Sequence, residues 1–192
     1  VYLVARMFPL FVASDSALLV VLTIGTITAI LAALLALVET DMKRVLAYST
    51  ISQLGYMMFA LGSGSVTAAM LHLVGHAFFK ALLFLGAGAI MHATHGIVDI
   101  DRLGGLRRRM PITTWTFVIG ALSLAGFPLL SGFWSKDLIL NAAFAGGHWA
   151  TFLVGVITAA LTGFYMFRVI FKAFFGEARS QEARTARKAE PI

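Results

Sequence analysis

The sequence predicts an all-α polytopic membrane protein: five transmembrane helices plus the end of a sixth, with one of the five discontinuous. Three observations lead there. Of 192 residues, 59% are hydrophobic and only 12% are charged. The mean hydropathy of +0.89 lies outside the range of ordinary soluble domains. The charges are gathered between long apolar segments and at the C-terminal end, the pattern of a chain that crosses a bilayer several times. The net charge of +6 therefore reads as membrane topology; the expected contact is a lipid bilayer and no nucleic acid. There is no cysteine, so iron–sulfur clusters, thiolate metal sites and disulfides within this chain are excluded.

The elements follow in order. VYLVARMF, residues 1–8, is apolar but too short to span and reads as the end of a preceding transmembrane helix, so the chain is expected to be a fragment; no signal-peptide pattern is present. Pro9 and the cluster Ser14, Asp15, Ser16 mark a loop and then a helix N-cap. Residues 17–38 are nearly free of charge, and about 22 residues suffice for a hydrocarbon core of roughly 30 Å. The second span, 43–61, is unusually polar for lipid. Its Ser49, Thr50, Ser52, Gln53 and Tyr56 need partners, so this helix should face other helices. The third span, 67–91, is followed by a loop at 92–110 that ends in Arg107, Arg108 and Arg109.

Pro111 opens the next helix, a favourable first-turn position. Segment 111–146 would measure roughly 54 Å as one straight helix, far more than a bilayer core. It contains AGFPLLSGFWSKD, with Pro128, Ser131 and Gly132 as breakers inside an apolar run. A discontinuous helix broken within 128–137 is expected, with Lys136 and Asp137 at the break. The last span, 149–172, carries Arg168, expected to snorkel to the interface. Residues 176–192 are polar and read as a solvated loop or a frayed tail. Residues 9–175 thus form one membrane domain. The loops at 39–44 and 92–110 and the tail fall on one side, rich in Lys and Arg, which the positive-inside rule assigns to the cytoplasm or its organellar equivalent.

The residues with chemical promise interrupt the third span. His72, His76 and Lys80 recur every four residues. Each such step rotates only about 40° on a helix, so the three share one stripe roughly 12 Å long. A lysine in mid-span costs about 2.5–3.5 kcal/mol on insertion scales and normally faces a protein interior or a wet cavity. Burial disfavours its charged form while a nearby anion or water favours it, so a balanced lysine can gain and lose a proton. Histidine titrates near neutral pH and suits the passing of protons. The stripe reads as a proton relay, with three polar groups satisfied by neighbouring helices as the plainer alternative. A metal site is disfavoured because no carboxylate shares the stripe. Lys136 and Asp137 form a second candidate, against an ordinary loop whose lysine snorkels. Ser49, Thr50, Ser52, Gln53 and Tyr56 are candidates for lining a water path or for bonding between helices. Asp41, Lys43 and Arg44 are candidates for an interfacial ion network or a plain solvated helix start, and the arginine run reads as a topology signal. GSGS at 62–65 and GAGA at 86–89 follow no strand and are not nucleotide loops. There is no nucleophile–base–acid set and no redox cofactor motif.

Four stretches, TDMKRVLAYSTISQLGYM, HLVGHAFFKALLFLGAGAIMHA, DIDRLGGLRRRMP and FPLLSGFWSKDLIL, together resemble the large antiporter-like subunit L of complex I, NADH-quinone oxidoreductase, of the NuoL/NdhF type. The resemblance covers about residues 1–176. It implies the second of two inverted five-helix repeats, each with a broken helix. It implies that Lys80 is a central proton-relay lysine with His72 and His76 on its helix, and that Lys136, beside Asp137, is the lysine of the second broken helix. M-type relatives typically have glutamate there, so SKD favours the L type. The implied function is a non-redox, proton-translocating subunit of an oxidoreductase. NADH, FMN, iron–sulfur clusters and quinone would sit in partner subunits, with the M-type antiporter-like subunit as neighbour, in a bacterial, archaeal or organellar membrane. The alternatives are a subunit of an Mrp-type cation/proton antiporter or of a membrane-bound hydrogenase, which share much of the motif set, and a non-transporting membrane scaffold.

Overall fold

The computed structural model describes residues 1–186. They form α1 (Tyr2–Arg6), α2 (Phe8–Val12), α3 (Asp15–Val38), α4 (Met42–Gly62), α5 (Val66–Ala93), a 3-10 turn (Leu106–Arg108), α6 (Pro111–Ala125), α7 (Ser131–Ala145), α8 (Trp149–Phe174) and α9 (Gln181–Arg184). Among the described residues the only β-type pairing is a single bridge between Asp41 and Asp99. Three helices, α3, α5 and α8, are long and apolar enough to cross a membrane. The 21-residue α4 is not one of them, because its polar side chains lower its hydropathy; it packs inside the bundle, against α3 and α5.

Side chains of opposite character dictate these placements. α3 and α8 turn Leu19, Ile24, Ile27, Leu31, Phe164 and Phe171 outward, an apolar surface suited to lipid and not to water. α4 turns Ser49, Ser52, Gln53 and Tyr56 inward, all fully buried. Its contact with α3 runs over glycines. A Cβ on Gly25 would fall 2.5 Å from Phe59 N, one on Gly55 2.5 Å from Ala29 N, and one on Gly62 2.4 Å from Leu22 N. The backbones meet directly, as small residues permit in membrane helices.

The interior divides into two apolar clusters. One gathers Val45 and Leu46 of α4, Phe79, Leu83 and Ile90 of α5, Phe117 and Leu124 of α6, and Tyr165, Val169 and Phe174 of α8. The other gathers Tyr56, Phe59 and Leu61 of α4 with Leu22, Ala68, Ile139 and Ala143. Along α4 and α5 the polar residues Ser49, Ser52, Gln53, His72 and His76 fall between the two.

Three departures from the sequence reading have clear causes. Pro9 does not lie in a loop; it occupies the first turn of α2, where its missing N–H costs nothing. Segment 92–110 is more than a linker. Met42 N–H donates to Val98 O (2.8 Å) and Ile100 N–H to Thr40 O (3.0 Å), and Ile100, Leu103, Leu106 and Met110 are buried. The segment after α8 is anchored to the bundle up to residue 186, although Gly176, Glu177, Arg179, Gln181, Arg184 and Thr185 stay exposed. Gly105 N–H donates to Phe175 O (3.2 Å), Arg102 pairs with Glu182 at 4.0 Å, and Ala183 and Ala186 are buried; the rest of the expected tail, 187–192, lies outside the described residues. Segments 39–44, 92–110 and 176–186 therefore meet at one end of the bundle, fastened further by Lys172 to Asp101.

The α3–α4 contact makes a testable claim. Gly55→Val forces the two backbones apart and is expected to cost about 1–3 kcal/mol, the usual penalty of overpacking. It should read as a lower thermal unfolding midpoint of the detergent-solubilised protein. Gly88→Ala is the control, since an added Cβ there meets nothing within 4 Å, and should not lower the midpoint because alanine is the better helix former.

Candidate functional site

α5 carries the His/His/Lys stripe into the interior as its spacing requires. His72 is fully buried, and His76 and Lys80 are each only 6% exposed. α4 and α7 supply the facing groups. His72 Nε2 lies 3.0 Å from Gln53 Oε1 and its Nδ1 2.8 Å from Ser135 Oγ. A proton on Nε2 satisfies the Gln53 carbonyl, and the one hydroxyl proton of Ser135 is shared between His72 Nδ1 and Ser131 O at 3.0 Å. His76 follows His72 at 6.2 Å between ring centroids and meets the Phe79 ring edge to face at 5.4 Å. The Lys80 ammonium donates to Leu46 O at 2.9 Å and to Ser49 Oγ.

The second lysine depends on the interruption between α6 and α7. Gly126 ends α6 in the left-handed conformation, φ +87, with its N–H on Leu122 O and Ser123 O, and Phe127 N–H returns to Leu122 O at 2.9 Å. This is the glycine C-cap arrangement. Pro128 and Leu129 (φ +75) carry the chain to Leu130, the N-cap of α7. Gly132 lets α7 restart against α6: a Cβ there would fall 1.7 Å from Ser123 O. Lys136, 4% exposed, reaches back over the interruption and donates to Leu124 O at 2.7 Å, a carbonyl of the last turn of α6, where orphan carbonyls attract cations. Its Nζ also sits 5.5 Å from the centre of the Tyr56 ring.

Two expectations about this segment need correction. The interruption is at 126–130, and Lys136 and Asp137 are not in it; both lie on the second turn of α7. They also do not act together. One residue turns a helix by about 100°, so while Lys136 points inward, Asp137 is exposed.

The remaining candidates sort by partner. Ser49 and Gln53 reach the stripe. Ser52 instead donates to Ala29 O on α3 (2.8 Å) and Tyr56 to Gly155 O on α8, so these two tie helices together. Thr50 is half-buried and bonds its own helix at Leu46 O, 3.0 Å. Asp41 forms no ion pair with Lys43 or Arg44 among the described residues; its carboxylate accepts from their backbone N–H groups at 2.8 and 3.2 Å, an N-cap that starts α4. Arg44 pairs with Glu39 at 3.8 Å. Arg168 is half-buried on α8 and reaches the end of α3. Its guanidinium donates to Ala36 O and Glu39 O, closing the C-terminal carbonyls of α3.

The sequence reading passed over Ser135, which holds His72, and Tyr165, fully buried on α8. Thr158, Thr162 and Tyr165 recur at helical spacing, and that inward polar stripe was the available signal. Gln53 Nε2, His76 Nε2 and the Tyr165 hydroxyl are buried with no hydrogen-bond partner among the described residues. Such atoms mark places for water. No carboxylate lies within 4.0 Å of either lysine among the described residues.

Neutral oxygen atoms can accept from an ammonium and from a neutral amine alike, so this site tolerates either charge state. Leu46 O also accepts from the Ser49 and Thr50 hydroxyls at 2.9 and 3.0 Å and would stay satisfied without Lys80. Lys80→Met is therefore expected to keep the thermal unfolding midpoint at or above that of the parent, because it removes a buried charge and preserves volume. A clearly lower midpoint would show that Lys80 serves mainly to hold the fold.

Comparison with known proteins follows the same lines. Residues 1–162 match the family model described as NADH:quinone oxidoreductase/Mrp antiporter, TM. The chain is 51% identical over 187 residues to NAD(P)H-quinone oxidoreductase subunit 5 of Paulinella chromatophora, covering 93% of this chain and 28% of that protein. It is 49% identical over 182 residues to NADH-quinone oxidoreductase subunit L of Pseudomonas aeruginosa, covering 94% and 30%. A chain of the Mrp complex from Dietzia sp. superposes with a TM-score of 0.86 at 30% identity, over 92% of this chain and 34% of that one. The chain thus spans about a third or less of each of these relatives. It is an integral membrane protein and belongs to the transmembrane family shared by NADH:quinone oxidoreductases and Mrp antiporters.

Proposed function

We propose that this chain is part of an L-type antiporter-like subunit that translocates protons in the membrane arm of an NADH-quinone oxidoreductase. The observation that carries the reading is the buried row itself: Lys80, His76 and His72 on α5 and Lys136 on α7, with no neutralising carboxylate among the described residues. A structural ion pair would have brought one. Protons enter and leave such a row as the electrostatic surroundings of the two lysines change, and the unpartnered His76, Gln53 and Tyr165 atoms are where water would join them. Asp137, exposed, stands outside the row.

In this reading α3, α4, α5, the pair α6–α7 and α8 are five crossings, with α6–α7 as one discontinuous helix and α1–α2 as the end of an earlier one. The domain is 9–175, the second inverted repeat of the subunit. The arginine-rich end, including the segment after α8, faces the cytoplasm or its equivalent, as the distribution of Lys and Arg supports. NADH, FMN, iron–sulfur clusters and quinone belong to other subunits, and the M-type subunit is the adjoining partner. The high identity to relatives named as oxidoreductase subunits supports this over the second reading, a subunit of an Mrp-type cation/proton antiporter, which the Dietzia structure favours.

The test uses the full-length subunit in its assembled complex in vesicles. Lys80→Ala should abolish or uncouple proton translocation, with the number of protons moved per electron falling at least severalfold. An unchanged stoichiometry would refute the role of Lys80. NADH-driven proton uptake in the parent supports the oxidoreductase reading, whereas cation/proton exchange without NADH would support the Mrp reading.

A further inference from the structure

The arginine run has a use beyond topology. At the end of the bundle where α6 begins and α8 stops, a cavity of about 650 Å³ is lined by Arg107, Arg108 and Arg109 on one side and Phe175, Glu177 and Arg184 on the other. Arg102, Lys172 and Arg44 at the same end have acidic partners. None of the four lining arginines has a carboxylate within 4.0 Å among the described residues, and the one acid in the wall, Glu177, leaves a net excess of three positive charges by side-chain type. Two of the cations are already held in place. The Arg107 guanidinium lies between two rings, 5.5 Å from the centre of Trp115 and 5.2 Å from that of Phe175, and Arg184 Nε donates to Ala178 O at 3.3 Å. Unpaired guanidinium forks around a cavity match the oxygen atoms of a phosphate.

We propose that this cavity binds the phosphate headgroup of an anionic phospholipid. The choice of a lipid over a soluble anion rests on the rim. Ile112 (76%), Trp115 (53%) and Phe171 (60%) are exposed where α6 and α8 reach the cavity, so the charged pocket opens beside an apolar surface on which acyl chains can lie. Tryptophan next to arginine is the combination found at headgroup depth, and basic pockets between membrane helices take anionic headgroups. The lipid would fasten segment 99–110 to segment 175–184, which already touch through Gly105 and Phe175.

The experiment titrates the delipidated, detergent-solubilised full-length protein and follows its thermal unfolding midpoint. Phosphatidylglycerol should raise the midpoint saturably, while phosphatidylcholine and inorganic phosphate at the same concentrations should not. Arg108→Gln with Arg109→Gln should raise the half-saturating phosphatidylglycerol concentration about tenfold or more, and Arg44→Gln should leave it unchanged. If the double variant fails to fold, Arg184→Gln on the opposite wall gives the same reading. An equal shift with inorganic phosphate would overturn the lipid assignment. An equal shift with phosphatidylcholine would overturn the charge requirement, and an unchanged titration in the arginine variants would overturn the site.

Discussion

A cation kept inside the bundle on neutral oxygen atoms is the constraint from which the rest of the structure follows. Removing an ammonium from water is costly, and the usual remedy, a carboxylate, is missing around Lys80 and Lys136 among the described residues. The fold supplies other acceptors: Leu46 O and Ser49 for Lys80, Leu124 O for Lys136. A carboxylate would fix the charged form. Carbonyl and hydroxyl oxygens leave the amine able to exist in either form, which is what a group that takes up and releases protons needs.

Those acceptors exist only because the backbone is arranged to present them. Leu124 O is available because Gly126 stops α6 and Gly132 lets α7 begin within touching distance of Ser123. Leu46 O and Ser49 face α5 because α4 is drawn inward, its glycines packed on α3 and its Ser52, Gln53 and Tyr56 side chains bonded to α3, α5 and α8. The two apolar clusters on either side of the polar row hold both its walls in register. At one end the Asp41 N-cap, the Asp41–Asp99 bridge and Arg168 on the carbonyls of α3 fix where α3 stops and α4 starts.

Local chemistry made much of this legible. Hydropathy located α3, α5 and α8, the four-residue spacing put His72, His76 and Lys80 on one buried face, Ser14 and Asp41 marked helix starts, and Pro128 with Gly132 marked the turn between α6 and α7. Each is a property of a few adjacent residues and survives whatever surrounds it. Short-range rules also misled where a side chain had two local uses. Pro9 opens a helix as readily as it ends one, and Asp41 beside Lys43 and Arg44 left an ion network and a helix start both open, of which the N-cap is what forms.

By itself the sequence determined a membrane chain with a stripe of ionisable side chains at a known position on one helix, because periodicity and hydropathy are carried by consecutive residues. Only the tertiary structure decided what the stripe meets. Ser135 on His72, Leu124 O on Lys136 and Arg168 on Glu39 O join residues from different helices, and two of those acceptors are backbone carbonyls, which every residue possesses and no sequence distinguishes. Likewise Asp137 stands next to Lys136 in the chain yet faces away from it, because a single helical step turns neighbours to different sides.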